Sequence, residues 1–96
     1  MGSTEARNAA ERHRRNPFLV LELPPDARRE EIERQGARLL ALLAAGLAEG
    51  GRYPSPWGER PRSAEDVRAA LHELRDPERR ARHEWWARGF AAGAGP

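Results

Sequence analysis

The stretch that most constrains this chain runs from Asp26 to Gly51, DARREEIERQGARLLALLAAGLAEGG. Ile32, Leu39, Leu40, Leu43 and Leu47 recur in it at spacings of three, four and seven, which predicts one apolar stripe along a long helix. A stripe of that kind has to be covered, and 96 residues make one small domain with an economical core to cover it. Asp26 is the expected cap, Glu30 and Glu31 suit the positive end of the helix dipole, and Gly50-Gly51 is the expected stop. Gly36 lies inside the helix at a cost of about 1 kcal/mol relative to Ala, tolerable where another element packs closely.

The covering elements are also helical in pattern. Asn16 caps a short helix and Pro17 opens it without losing a needed hydrogen bond, while Pro24 and Pro25 stop it. The prolines and glycines of GGRYPSPWGERPR predict a loop without regular structure. Ser63 opens a third helix, with Asp66 completing a near capping box and Val67, Ala70, Leu71 and Leu74 on the buried face. Asp76-Pro77 ends that helix and starts a fourth, which runs to about Phe90. No strand, repeat or second domain is expected. The reading is all-α: a small helical domain over 16–92, a polar Arg-rich arm or frayed helix over 1–15, and a flexible tail over 93–96.

The order of these pieces resembles the J domain, the DnaJ-type co-chaperone module. Its members open with Asn-Pro-Tyr-x-Val-Leu-x-Leu, and this chain reads Asn16-Pro17-Phe18-Leu19-Val20-Leu21-Glu22-Leu23. A Pro-rich turn leading to Glu31-Ile32 follows, and Ala70, Leu71, Leu74, Asp76, Pro77 and Arg80 match the family's third-helix ending, with His83 and Glu84 where it has Tyr-Asp. The match covers roughly residues 16–45 and 63–84. The resemblance implies the J-domain bundle, and it also implies what is missing. The family's His-Pro-Asp triplet, which triggers ATP hydrolysis in a heat-shock chaperone, should fall at 44–46, where this chain has Ala44, Ala45 and Gly46. The basic face of the family's second helix is diluted as well, since Arg28, Arg29, Arg34 and Arg38 alternate with Glu30, Glu31 and Glu33.

Composition narrows the function classes. The 17 basic residues are all Arg, and with abundant Ala, Gly and Pro this is the composition that GC-rich, bacterial genomes produce; 15 acidic residues bring the net charge to +2. There is no cysteine, hence no disulfide framework and no thiolate metal site. No apolar run reaches membrane-spanning length and the N-terminus lacks a signal-peptide core, so a soluble cytoplasmic protein with no membrane partner is expected. His13, His72 and His83 form no ligand cluster, and Ser3, Ser55 and Ser63 have no base-and-orienter set around them. No enzyme activity, cofactor or metal is expected, and His83 reads as a partly buried structural residue.

Two surfaces remain. Arginines at 12–15 and 78–82 could meet phosphates, but the small net charge and interleaved glutamates fit an ordinary solvated face better. The aromatics are more informative. Tyr53 and Trp57 lie in the Pro-rich stretch, and they either dock as a satellite core or face a partner. If the face of His83 packs inward, as the resemblance implies, Trp86 and Phe90 turn to the core and Trp85 outward beside Arg82 and Arg88. Trp85, Tyr53, Trp57, Arg82 and Arg88 are therefore the partner-binding candidates. The expected function is a non-catalytic protein–protein adaptor that does not stimulate a chaperone ATPase, acting as scaffold, assembly subunit or competitor of active J proteins. Its partner would be a chaperone or a larger assembly. A small Arg-rich nucleic-acid-binding protein is the alternative.

Overall fold

In the computed structural model, backbone is described for residues 16–94 and side chains for residues 16–88. The elements are α1 (Pro17–Val20), α2 (Arg29–Ala44), β1 (Arg52–Ser55), β2 (Gly58–Pro61), α3 (Ala64–Arg75) and α4 (Pro77–Ala94). The core is Phe18, Val20 and Leu21 from α1 and its exit, Ile32 and Leu39 from α2, Tyr53 from β1, and Val67, Ala70, Leu71 and Leu74 from α3. The expected arm over 1–15 lies outside the described residues.

The all-α expectation is corrected by a two-stranded antiparallel sheet within the stretch read as a loop. Its register pairs Arg52 with Pro61, Tyr53 with Arg60, Pro54 with Glu59 and Ser55 with Gly58. The turn is built from Ser55-Pro56-Trp57-Gly58, which places Ser first, Pro second and Gly fourth, the preferences of a tight turn. The Ser55 hydroxyl accepts from Trp57 N–H at 3.2 Å and donates to the Gly58 carbonyl at 2.6 Å, and Gly58 takes φ +103°. Pro54 and Pro61 are tolerated because a two-stranded ribbon is all edge. Tyr53 turns inward between exposed neighbours and is 3% exposed.

Local capping explains where three helices begin. The Asn16 side chain accepts from Phe18 N–H at 2.9 Å with Pro17 in the first helical position. Ser63 and Asp66 form a reciprocal capping box at 3.2 and 2.9 Å. Asp76 accepts from Glu78 and Arg79 N–H at 2.9 and 3.1 Å. The long helix differs from expectation at both ends. Ala27 N–H bonds to the Pro24 carbonyl, so Asp26 is spent in a turn and α2 starts at Arg29 with no side-chain cap. At its other end Gly46 takes φ +71°, Gly46 N–H meets Leu43 O and Leu47 N–H meets Leu42 O, each at 3.0 Å. This double bond pattern with a left-handed Gly stops a helix. It stops α2 before Gly50-Gly51, and Leu47 leaves the stripe, 51% exposed.

α2 and α3 pack through Gly36, where an added Cβ would lie 2.6 Å from a Leu71 methyl. Arg75 on α3 clamps Glu33 on α2 with two hydrogen bonds of 2.9 and 2.7 Å. That bond holds the Glu33 carboxyl below its ordinary pKa and raises that of Arg75.

Candidate functional site: an aromatic ridge on the last helix

α4 continues to Ala94, past Phe90 where its end was expected. Its inward face is formed by Arg80, His83, Glu84 and Ala87, at helical spacings of three and four. Three of these four are polar, and polar contacts hold the helix in place. Asn16 Nδ2 donates to the His83 carbonyl at 3.1 Å. Arg80 donates to the Ala27 carbonyl at 2.6 Å and to Glu84 at 2.7 Å, with its guanidinium 5.5 Å from the Phe18 ring centre. The His83 Nε2 lies 3.2 Å from Glu73, which also accepts from Arg79 at 3.2 Å.

This phase corrects the expected inward orientation of Trp86. Ala87 takes the core-facing place at 8% exposure, which turns Trp86 about 100° off it. Trp86 is 40% exposed and Trp85 67% exposed. Their rings meet edge to face, with centroids 4.7 Å apart and planes at 83°. Arg82 and Arg88, both exposed, sit one turn to either side of Trp85. Among the described residues neither forms an ion pair. The structure thus gathers Trp85, Arg82 and Arg88 into one ridge. Trp57 is exposed at the hairpin turn, apart in sequence, and Tyr53 is buried and does not present a surface to a partner. The side chain of Phe90 lies outside the described residues.

Beside α4 lies a cavity of about 600 Å³, bounded by Pro17 and Val20 of α1, Tyr53 and Arg60 of the hairpin, Ala69 of α3 and His83 of α4. Its polar wall residues Asp66 and Glu73 are already engaged, in the α3 cap and with Arg79 and His83. Ser63 also lines the cavity, and its hydroxyl accepts from Asp66 N–H in the α3 cap. Among the described residues no group of three His, Asp or Glu converges to hold a metal ion, and no described helix is long and apolar enough to cross a membrane.

Sequence reasoning missed Arg62 altogether. Its side chain is fully buried, and its guanidinium uses all five donors. Nε meets the Gly50 carbonyl at 2.7 Å, Nη1 the Val20 carbonyl and Glu22 at 3.1 Å, and Nη2 the carbonyls of Glu49 and Arg52 at 2.9 and 2.8 Å. The Tyr53 ring centre lies 5.8 Å away. Glu22 reaches this hub from φ +57°, a left-handed backbone uncommon for a non-glycine residue. Nothing in the local pattern around Pro61-Arg62-Ser63 signals such a role, because every acceptor except Glu22 is a backbone carbonyl.

About half of the described arginines are paired internally: Arg28 with Glu31, Arg38 with Glu49, Arg52 with Glu59, Arg62 with Glu22, Arg75 with Glu33, Arg79 with Glu73 and Arg80 with Glu84. The positions the resemblance assigns to a trigger, Ala44, Ala45 and Gly46, form the exposed C-terminal cap of α2. Compared with known proteins, the chain matches no protein-family model, no curated protein and no solved structure.

Proposed function

We propose that this chain is a non-catalytic protein–protein interaction module, an adaptor on a J-domain-like scaffold that does not stimulate a chaperone ATPase. One observation carries the reading: Trp85 stands 67% exposed on a capped helix with Trp86 packed edge-on beside it. Exposed aromatics grouped in this way favour interfaces, because a large rigid ring contributes much contact area for little lost freedom. The absence of donor, acceptor or charge at Ala44, Ala45 and Gly46 supports the non-stimulating half of the proposal. The role is a scaffold, an assembly subunit or a competitor of active J proteins, in the cytoplasm of a bacterium.

Two measurements test it. Added to a heat-shock chaperone, the protein is expected to leave the ATPase rate unchanged; stimulation like that of an active J protein overturns the proposal. Affinity capture from a cell lysate by wild type and by Trp85→Ala is expected to differ by loss of one or a few protein partners from the variant. The nucleic-acid alternative predicts instead capture that falls by about one log unit of affinity per log unit of salt for each phosphate contacted. The internal pairing of about half of the described arginines with carboxylates counts against it.

A further inference from the structure

We infer that the α4 ridge recognises an acidic amphipathic protein segment, one in which an apolar side chain is flanked by two carboxylates. The inference rests on the adaptor reading and adds the chemistry of the partner. Trp85 supplies the apolar contact, and the nearest charges along the exposed face are Arg82 and Arg88, three residues before it and three after. The acidic neighbour in sequence, Glu84, turns to the inward face and is held by Arg80 at 2.7 Å. Asp76 feels the Arg82 charge, but its carboxylate accepts from the Glu78 and Arg79 N–H at the start of α4. The charges nearest the ring are therefore positive on both sides, and a partner carboxylate there would be matched by a guanidinium.

Helical rise sets the scale of the recognition element. Arg82 and Arg88 are six residues apart, so about 9 Å separates them along the axis. Carboxylates spaced by about 9–10 Å occur six or seven residues apart on a partner helix. Guanidinium and carboxylate pair in a planar fork, so two such pairs fix the register of the segment while the indole supplies the anchor. A single-stranded nucleic acid could stack on the same ring, yet it needs a continuous basic track. Here the next cationic residues along α4, Arg79 and Arg80, are committed to Glu73 and Glu84.

The test is fluorescence anisotropy with the full chain and three labelled probes. One is a helical peptide with Leu flanked by Glu residues at six- to seven-residue spacing, one is the same peptide with Glu replaced by Lys, and one is an oligothymidine. The acidic peptide is expected to bind, with at least about tenfold preference over the Lys peptide. Trp85→Ala should weaken it by about tenfold or more. The double variant Arg82→Glu/Arg88→Glu should reverse the preference between the two peptides, a charge readout that loss of folding would not produce. Equal binding of both peptides, or binding of the oligothymidine alone, overturns the inference. If lysate capture depends on Trp85 while the acidic peptide does not bind, the inference fails and the adaptor reading stands.

Discussion

Arg62 sits among α1, the end of α2 and the hairpin, and its five donors are matched by four carbonyls and one carboxylate around a fully buried guanidinium. α4 is fastened differently. It contributes one buried apolar residue among those described, Ala87, and is otherwise held by Arg80, His83 and the amide of Asn16. The first region closes on itself, whereas the second leaves Trp85 67% exposed. The residues that hold the domain together are thus distinct from the exposed ridge on which the proposed partner contact rests.

The sharpest way to break that contrast is Arg62→Ala. It strands four carbonyls and the Glu22 carboxylate, and should cost about 3–5 kcal/mol in denaturant unfolding. Arg62→Lys should not restore the loss, because one ammonium cannot span the five positions of a planar fork. Gly36→Ala forces a methyl against Leu71 at the α2–α3 contact and should cost about 1–3 kcal/mol as the leucine is displaced. Ser63→Ala, which removes one half of the α3 capping box, should cost about 1 kcal/mol.

Acid titration sharpens the comparison further. Glu33 is held below its ordinary pKa chiefly by the Arg75 hydrogen bond, and Asp76 chiefly by the Arg79 N–H at the start of α4. A carboxyl with a lowered folded pKa stabilises fully above its unfolded value and loses that contribution as pH falls through the folded one. The melting temperature should therefore hold from neutrality to about pH 5 and fall below about pH 4. Glu33→Gln should flatten the α2–α3 share of that fall and Asp76→Asn the α4 share. At the small end, Trp85→Ala should change stability by less than about 0.5 kcal/mol, since the ring is mostly solvated. A large loss from Trp85→Ala would show that α4 is held by its aromatics, and the contrast would collapse.

The elements most legible in the sequence are those decided within four residues. Asn16-Pro17, Ser63 with Asp66, and Asp76-Pro77 each satisfy their own helix end, and each starts its helix where the pattern says. The buried face Val67, Ala70, Leu71 and Leu74 follows from helical spacing in the same way. The hairpin was legible in principle from Ser55-Pro56-Trp57-Gly58, but the density of prolines around it reads equally as a loop. What the sequence could not show is long-range. The phase of α4, with Ala87 and not Trp86 toward the core, goes with contacts from Asn16 to a carbonyl 67 residues away and from Arg80 to the Ala27 carbonyl. The same holds for the ridge. Its Trp and Arg residues were identifiable as candidates, while Tyr53, alike in composition, was drawn inside by the strand alternation of β1.

Arg62 also bears on the speed at which the domain comes apart. Its acceptors lie 10, 12, 13, 40 and 42 residues away in two groups, 49–52 and 20–22, so the guanidinium can find them only after two separate chain closures. The α2–α3 contacts span as far, Gly36 to Leu71 and Glu33 to Arg75, so geometry and not span sets the hub apart. Matching five donors at once requires the α1 exit, the end of α2 and the hairpin already in place, and such contacts are expected to form after the transition state. The hub therefore acts as a latch on a door already shut. Its removal should accelerate unfolding in stopped-flow measurements and leave the refolding rate nearly unchanged, making the lifetime of the folded state the quantity Arg62 chiefly governs.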